Sequence, residues 1–213
     1  MEERMTQLIH SAPKAYDFRN LEPPSDYRNI NELGDLSTQP WLHPVQSLYG
    51  NWDGRHLIMG QDFNSWGNLV GRPTDELKHN PNFPTNKHLE RIFGQEFDAI
   101  YANLSWFIKG GETASGPINF TREVMTANAP IVKATISAMP NLQSVYCLGA
   151  RVFTALSRQK YVPLTKCQAV LFDRPVEIYA LPHPGGLGMA NFQKLTGLDR
   201  EAALNAIQAF VKP

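Results

Sequence analysis

The chain has 213 residues, of which 42% are hydrophobic and 19% are charged, which suits one globular domain with its own core and excludes a disordered or fibrous chain. Lys plus Arg and Asp plus Glu number 20 each, so no overall basic excess predicts a nucleic-acid coat or a membrane-binding surface. Two cysteines, Cys147 and Cys167, are too few for a disulfide framework, and because both lie in apolar runs we expect reduced core residues.

The N-terminus is typical of a cytoplasmic protein. Met1 is followed by Glu2 and Glu3, where a secretory signal needs basic residues. The sequence also lacks an uninterrupted apolar run of about 18 residues, the length that crosses a membrane. We expect a monomer with no membrane contact.

A single domain over residues 1–213 is predicted, with an arm at 1–55 and a core at 56–213. The arm is rich in Pro, Asn, Asp and Tyr, which indicates wrapping loops with a short helix or two. The core has short apolar runs, each ending at Gly, Asn or Pro, and these predict buried strands. The expected strands are His56–Gly60, Asp98–Leu104, Ser144–Gly149 and Val176–Pro182.

Helix-length segments separate these runs, which is typical of a parallel sheet covered on both faces. The expected helices are 86–93 after Thr85, 121–138, 150–158 and 199–212. Pro130 should divide or kink the second of them. The prediction is an α/β fold, a three-layer α/β/α sandwich with a central four-stranded parallel sheet, whose ligands gather at the carboxyl ends of the strands.

Three of the predicted strands carry polar residues at or just beyond their carboxyl ends. Asp62 follows Gly60 and Gln61, and is either a general base or cation stabiliser, or else a turn former or helix cap. Asn103 lies inside a buried strand, where its amide either reads a base edge or bonds to a nearby backbone.

The fourth predicted strand leads into His183. The segment Pro182-His183-Pro184-Gly185-Gly186-Leu187 predicts a Gly-rich loop whose backbone N–H groups can follow a phosphate chain. An ordinary turn with a solvent-facing histidine is the alternative.

Four motifs follow one another along the chain: Gly60-Gln61-Asp62, the strand holding Asn103, Gly149-Ala150-Arg151, and His183-Pro184 with Leu187. In this order they resemble the motifs of the uracil-DNA glycosylase superfamily. In the best-known branch the first motif reads GQDPYH and the last reads HPSPLS. The resemblance covers about residues 57–190.

The resemblance implies a role for each matching residue. Asp62 would position water and stabilise the sugar cation, Asn103 would read the base, and His183 would donate to the base carbonyl. Leu187 would enter the duplex, beside the DNA-binding Gly185 and Gly186. Base contacts would come from Gln61 and from an aromatic side chain that stacks on the base, which is Phe83 or, in its place, Phe63 or Trp66.

The match also has differences. Phe63-Asn64-Ser65 replaces Pro-Tyr-His, so Asn64 stands where that branch has the tyrosine that excludes thymine, and the choice of base stays open. Two cysteines cannot hold the iron–sulfur cluster of another branch, so we expect no cofactor. We expect no metal site either, because the histidines lack ligand spacing to Asp, Glu or Cys.

The expected reaction is hydrolysis of the bond between a base and its deoxyribose. A base inside a duplex must first be turned out into a pocket. As the bond stretches, a carboxylate stabilises the sugar cation and a fixed donor stabilises the anionic base. We expect His183 to be a neutral donor whose other nitrogen bonds to backbone.

The leading hypothesis is therefore a DNA glycosylase that acts on uracil or a related damaged base, with single- or double-stranded DNA as partner. The alternative is a glycosylase-fold module that binds nucleic acid or protein without hydrolysis. A third hypothesis is hydrolysis of a free nucleoside, for which Leu187 would be idle.

Overall fold

The computed structural model describes residues 22–24, 27–29, 49–50, 52–62, 84–94, 97–109 and 118–212. These parts of the chain contain both strands and helices, interspersed along the sequence, which confirms the α/β class. The strands are β1 (Tyr27–Asn29), β2 (Tyr49–Gly50), β3 (His56–Gly60), β4 (Ala99–Asn103), β5 (Phe107–Lys109), β6 (Ser144–Leu148), β7 (Thr165–Leu171) and β8 (Arg174–Leu181). The helices are α1 (Pro84–Phe93), α2 (Arg122–Ser137), α3 (Ala150–Ser157), α4 (Gly186–Thr196) and α5 (Arg200–Val211).

The main sheet has six strands in the order β2-β4-β3-β6-β8-β7. Neighbours from β4 to β8 run parallel, whereas β2 and β7 pair antiparallel at the two edges. The sheet is therefore mixed, and larger than the four strands predicted. The four predicted strands coincide with β3, β4, β6 and β8, with bounds that differ by at most two residues.

The described parts of the predicted arm add strands to existing ones. β2 pairs with β4, and β1 pairs antiparallel with β5 in a separate two-stranded sheet. Most of the arm, with its predicted short helices, lies outside the described residues.

The edge strand β7 was not predicted from the sequence. It forms a hairpin with β8 through Phe172 and Asp173, which have φ angles of 49° and 67°. Such two-residue turns normally use Asn-Gly or Asp-Gly, so Phe-Asp carries no turn signal. Cys167, predicted to be a reduced core residue, is a free cysteine that packs against the core, but its place on this edge strand leaves it only partly buried.

Two apolar clusters lie on opposite faces of the sheet, because alternate strand residues point to opposite sides. One contains Leu57, Val145 and Ile178, and packs against α2 and α3. The other contains Ile58, Tyr146 and Leu181, and packs against α1, α4 and α5. Cys147 lies in the first cluster, where burial raises the pKa of its thiol and keeps it protonated.

Pro130 was expected to divide or kink helix α2, and the helix is not divided there, since it runs without a break from Arg122 to Ser137. Proline removes one backbone hydrogen bond and costs roughly 3 kcal/mol inside a helix. Here its ring is exposed, while Ile131, Val132 and Ile136 bury their side chains directly after it. Burial of those side chains stabilises the part of the helix that follows the proline.

Residues 182–185 form a loop as predicted, but helix α4 begins at Gly186, so the prediction that the loop continues through Gly186 and Leu187 is wrong. Gly186 and Gly188 disfavour a helix in isolation. Met189 and Phe192 are nevertheless buried against the sheet, and this packing outweighs the low intrinsic propensity. No helix in the described ranges is long and apolar enough to cross a membrane.

A buried polar network supports the chain directly after β4. The Asn128 side chain of α2 accepts a hydrogen bond from Trp106 N (2.8 Å) and donates to Ser105 Oγ (3.2 Å) and Val124 O (2.8 Å). Asn128 is fully buried, and these bonds satisfy its amide. The chain that leaves β4 is thereby held against α2.

Candidate functional site

The candidate site lies at the carboxyl ends of the parallel strands. Gly60 is opposite Asn103 across β3 and β4, and Leu148 is opposite Leu181 across β6 and β8. Because these strands are parallel and in register, the residues that follow them emerge along one edge of the sheet. Asp62 and His183 therefore emerge at the edge where Asn103 ends its strand.

Hydrogen bonds from Gln61 and Ile118 hold the carboxylate of Asp62. Its Oδ2 atom accepts from Gln61 Nε2 (2.8 Å) and from Ile118 N (3.2 Å). Both Gln61 and Asp62 are partly buried, and Gln61 is fixed in turn by a bond from Ser105 N to its carbonyl oxygen (3.0 Å). The carboxylate thus has a defined orientation beside the sheet edge.

Arg151 is connected to Asp62 through the backbone of Ile118. Its guanidinium donates to the Ile118 carbonyl (3.0 Å), while the Ile118 N–H donates to Asp62. Arg151 is in the first turn of α3 and is exposed. This arrangement joins a cation and a carboxylate at the same edge of the sheet.

Asn103 is 2% exposed, and neither atom of its amide has a hydrogen-bond partner among the described residues. An unpaired buried amide is unfavourable by roughly 1–3 kcal/mol. An amide offers one acceptor and two donors, which match a ring edge that alternates carbonyl and N–H groups. The arrangement therefore suits a planar heterocycle that supplies the missing bonds.

Gly60 leaves the space that Asn103 occupies. A Cβ at Gly60 would lie closer than 3.0 Å to both Asn103 Oδ1 and the hydroxyl of Tyr101. Tyr101 and Asn103 are two residues apart on β4 and share one face of the sheet. Tyr101, which was not identified from the sequence, thus brings a hydroxyl to the same point as the Asn103 amide.

His183 has one ring nitrogen committed to the backbone. The Gly185 N–H donates to His183 Nδ1 at 2.9 Å. Because an N–H can only donate, Nδ1 carries no proton, and the neutral ring must carry its proton on Nε2. This is the backbone bond that the sequence led us to expect, and it makes Nε2–H a donor.

Glycines pack tightly around His183. A Cβ at Gly185 would lie 2.9 Å from His183 Nδ1, and one at Gly188 would lie 2.8 Å from His183 Cβ. A Cβ at Gly149, whose φ is 101°, would lie 3.7 Å from the same carbon. Gly186, in contrast, has no atom within 4 Å of a Cβ position. Gly188 was not identified from the sequence, because only the folded chain brings it back against His183.

Helix α1 supports the loop that carries His183. His88 bonds through Nδ1 to the Pro184 carbonyl at 2.6 Å. Arg91, one turn further along, forms an ion pair with Glu201 on α5 and a hydrogen bond to Asn205 (3.0 Å). The sequence predicted no role for His88, because the partner is 96 residues away.

Leu187 stands at the rim of the site. It is 79% exposed, the highest exposure among the large hydrophobic residues that the structure describes. It lies in the first turn of α4, directly after Gly185 and Gly186. An apolar side chain in this position can insert into an apolar partner or a base stack.

The remaining predicted residues lie outside the described ranges. These are the candidate aromatic residues Phe63, Phe83 and Trp66, together with Asn64. Within the described ranges, no group of three His, Cys, Asp or Glu residues is arranged to hold a metal ion. Comparison of the chain with models of known protein families, and with curated protein sequences, gives no match.

Proposed function

We propose that this chain is a DNA glycosylase that hydrolyses the N-glycosidic bond of uracil or a related damaged base. The observation that carries this proposal is the amide of Asn103, which is buried and has no partner among the described residues. Such an amide suits a base that has been turned out of the helix and supplies the missing hydrogen bonds. Its position at the edge that carries Asp62 and His183 supports the proposal.

The proposed chemistry divides the developing charge between two residues. As the C1′–N bond breaks, its electron pair stays on the base, and His183 Nε2–H donates to the base carbonyl oxygen that gains charge. The carboxylate of Asp62 stabilises the sugar cation and accepts a proton from the water that adds at C1′. Uracil leaves as a stabilised anion, so this scheme needs no second carboxylic acid, metal or cofactor.

The proposal includes a three-layer α/β/α sandwich around a central set of four parallel strands. The apolar clusters on the two faces, each with its own helices, support this arrangement. It would place all proposed groups in the cleft where α/β folds bind ligands. Leu187 would fill the gap left in duplex DNA by the displaced base.

The test uses labelled single-stranded and duplex oligonucleotides that carry one uracil, followed by alkali to cut abasic sites. We expect strand scission by the purified protein and a loss of about 10²-fold or more in Asp62→Asn and His183→Ala. Lys87→Ala on the exposed side of α1 is the matched control. Absence of scission on every substrate would contradict the proposal.

The alternative, a binding module without hydrolysis, is favoured by the zero net charge, since a neutral chain lacks the field that speeds a search along DNA. Retained DNA binding without scission would support it.

The variant Leu187→Ala distinguishes the glycosylase from the third hypothesis, hydrolysis of a free nucleoside. Its activity on duplex DNA should fall, whereas hydrolysis of a free nucleoside would not change.

A further inference from the structure

His88 is connected to His183 through a single peptide group. The His88 Nδ1 atom lies 2.6 Å from the carbonyl oxygen of Pro184, and the N–H of Gly185 lies 2.9 Å from His183 Nδ1. That carbonyl and that N–H belong to the same peptide bond. A carbonyl oxygen can only accept, so His88 Nδ1 is the donor.

The planarity of this peptide group couples its two bonds. In a trans peptide the C=O and N–H groups point in opposite directions and cannot rotate independently. The described residues contain no cis peptide bond. Fixing the Pro184 carbonyl therefore also fixes the direction of the N–H that meets His183.

The coupling also has an electronic part. A hydrogen bond to a carbonyl polarises the amide and strengthens its N–H as a donor, by about 10–30% in a chain of bonds. A stronger N–H at Nδ1 keeps the proton of His183 on Nε2. The Nε2–H group is the one that the proposed reaction uses.

The donor stands on a rigid support. α1 is held to α5 by Arg91, through Glu201 and Asn205, and Gln208 donates to the Arg91 carbonyl at 2.8 Å. The peptide itself has no room for a side chain, because a Cβ at Gly185 would lie 2.9 Å from His183 Nδ1. Helix, peptide and imidazole thus form one packed unit.

From this geometry we infer that His88 is a positioning residue, which fixes the tautomer and orientation of His183 through the Pro184–Gly185 peptide. The consequence for catalysis rests on the proposed glycosylase function. The effect of His88 on the tautomer of His183 does not depend on the proposed function, and it can be measured on the protein without substrate.

The experiment compares His88→Asn with His88→Leu. Asparagine carries a donor nitrogen where histidine has Nδ1, and leucine has nearly the same shape without a donor. Long-range ¹H–¹⁵N spectra of the histidine rings report the tautomer of His183, and oligonucleotide kinetics report kcat and KM. Thermal unfolding establishes that each variant is folded.

We expect His88→Leu to mix the two tautomers of His183 and to lower kcat about 5- to 10-fold with KM unchanged. His88→Asn should restore a single Nε2–H tautomer and most of kcat, and Lys87→Ala should change neither. Unchanged His183 ring signals in His88→Leu would overturn the inference. A wild-type protein without glycosylase activity would overturn the proposed function alone, since the ring signals would still decide this inference.

Discussion

Two buried asparagines lie near the chain segment that leaves β4, and they differ in their hydrogen bonds. Asn103 is the last residue of that strand, and Asn128 is on helix α2. Asn128 is fully buried, and its amide makes three hydrogen bonds to Ser105, Trp106 and Val124. Asn103 is 2% exposed, and its amide makes none within the described residues. Burial alone therefore does not separate a structural amide from one that is kept for a ligand. The hydrogen-bond inventory does.

The largest expected effect is on activity, from the same-shape substitution Asn103→Leu. It removes the base-reading amide, and we expect at least a 10²-fold fall in kcat/KM on uracil-containing DNA. Stability should stay unchanged or rise by about 1 kcal/mol, because an unpaired buried amide is removed. Kinetic measurements check the expected fall in kcat/KM, and urea unfolding checks the expected stability. A loss of stability above about 2 kcal/mol would show that Asn103 is structural.

The matched substitution Asn128→Leu should act in the opposite way. Three hydrogen bonds of a fully buried amide are lost, so we expect destabilisation by about 3 kcal/mol. Activity per folded molecule should change only a few-fold. Should the two asparagine variants show the same balance of stability and activity, the distinction between them would be wrong.

A smaller effect is expected at Gly185 and Gly186, two adjacent glycines near His183 that differ in how closely they are packed. Gly185→Ala places a Cβ 2.9 Å from His183 Nδ1, and we expect about a 10-fold loss of activity and about 1–2 kcal/mol of stability. Gly186→Ala meets nothing within 4 Å and lies in a helix, so it should stabilise by about 0.5 kcal/mol. Equal behaviour of the two variants would contradict the tight packing around His183.

The smallest effect concerns His56, at the amino end of β3 and thus at the far edge of the sheet from His183. Its ring stacks on Phe97 at 4.8 Å, and burial lowers its pKa from 6.5. The folded state therefore binds fewer protons than the unfolded state, so stability present above pH 6.5 falls as the pH drops below it. His56→Phe should remove this part of the pH dependence in unfolding measurements between pH 7.5 and 5.5. If the pH dependence of stability is unchanged in His56→Phe, groups other than His56 must cause it.

Much of the α/β framework follows from local sequence pattern. The apolar runs predicted β3, β4, β6 and β8 within two residues of their bounds, because a strand buried on both faces needs apolar residues throughout. The edge strand β7 lacks that signal, since most of its residues are exposed or only partly buried. Helix α4 was missed because its glycines disfavour a helix until Met189 and Phe192 pack against the sheet.

Asp62, Asn103 and His183 could be proposed from the sequence because each follows or ends an apolar run at one edge of a parallel sheet. What each side chain contacts was decided by the tertiary structure. The tertiary structure leaves the amide of Asn103 without a partner among the described residues and brings the Tyr101 hydroxyl close to Gly60 on the neighbouring strand. It also joins His88 to Pro184, which is 96 residues away in sequence. Residue types and local pattern determine which elements form, whereas the hydrogen bonds of a site depend on distances that exist only once those elements are packed.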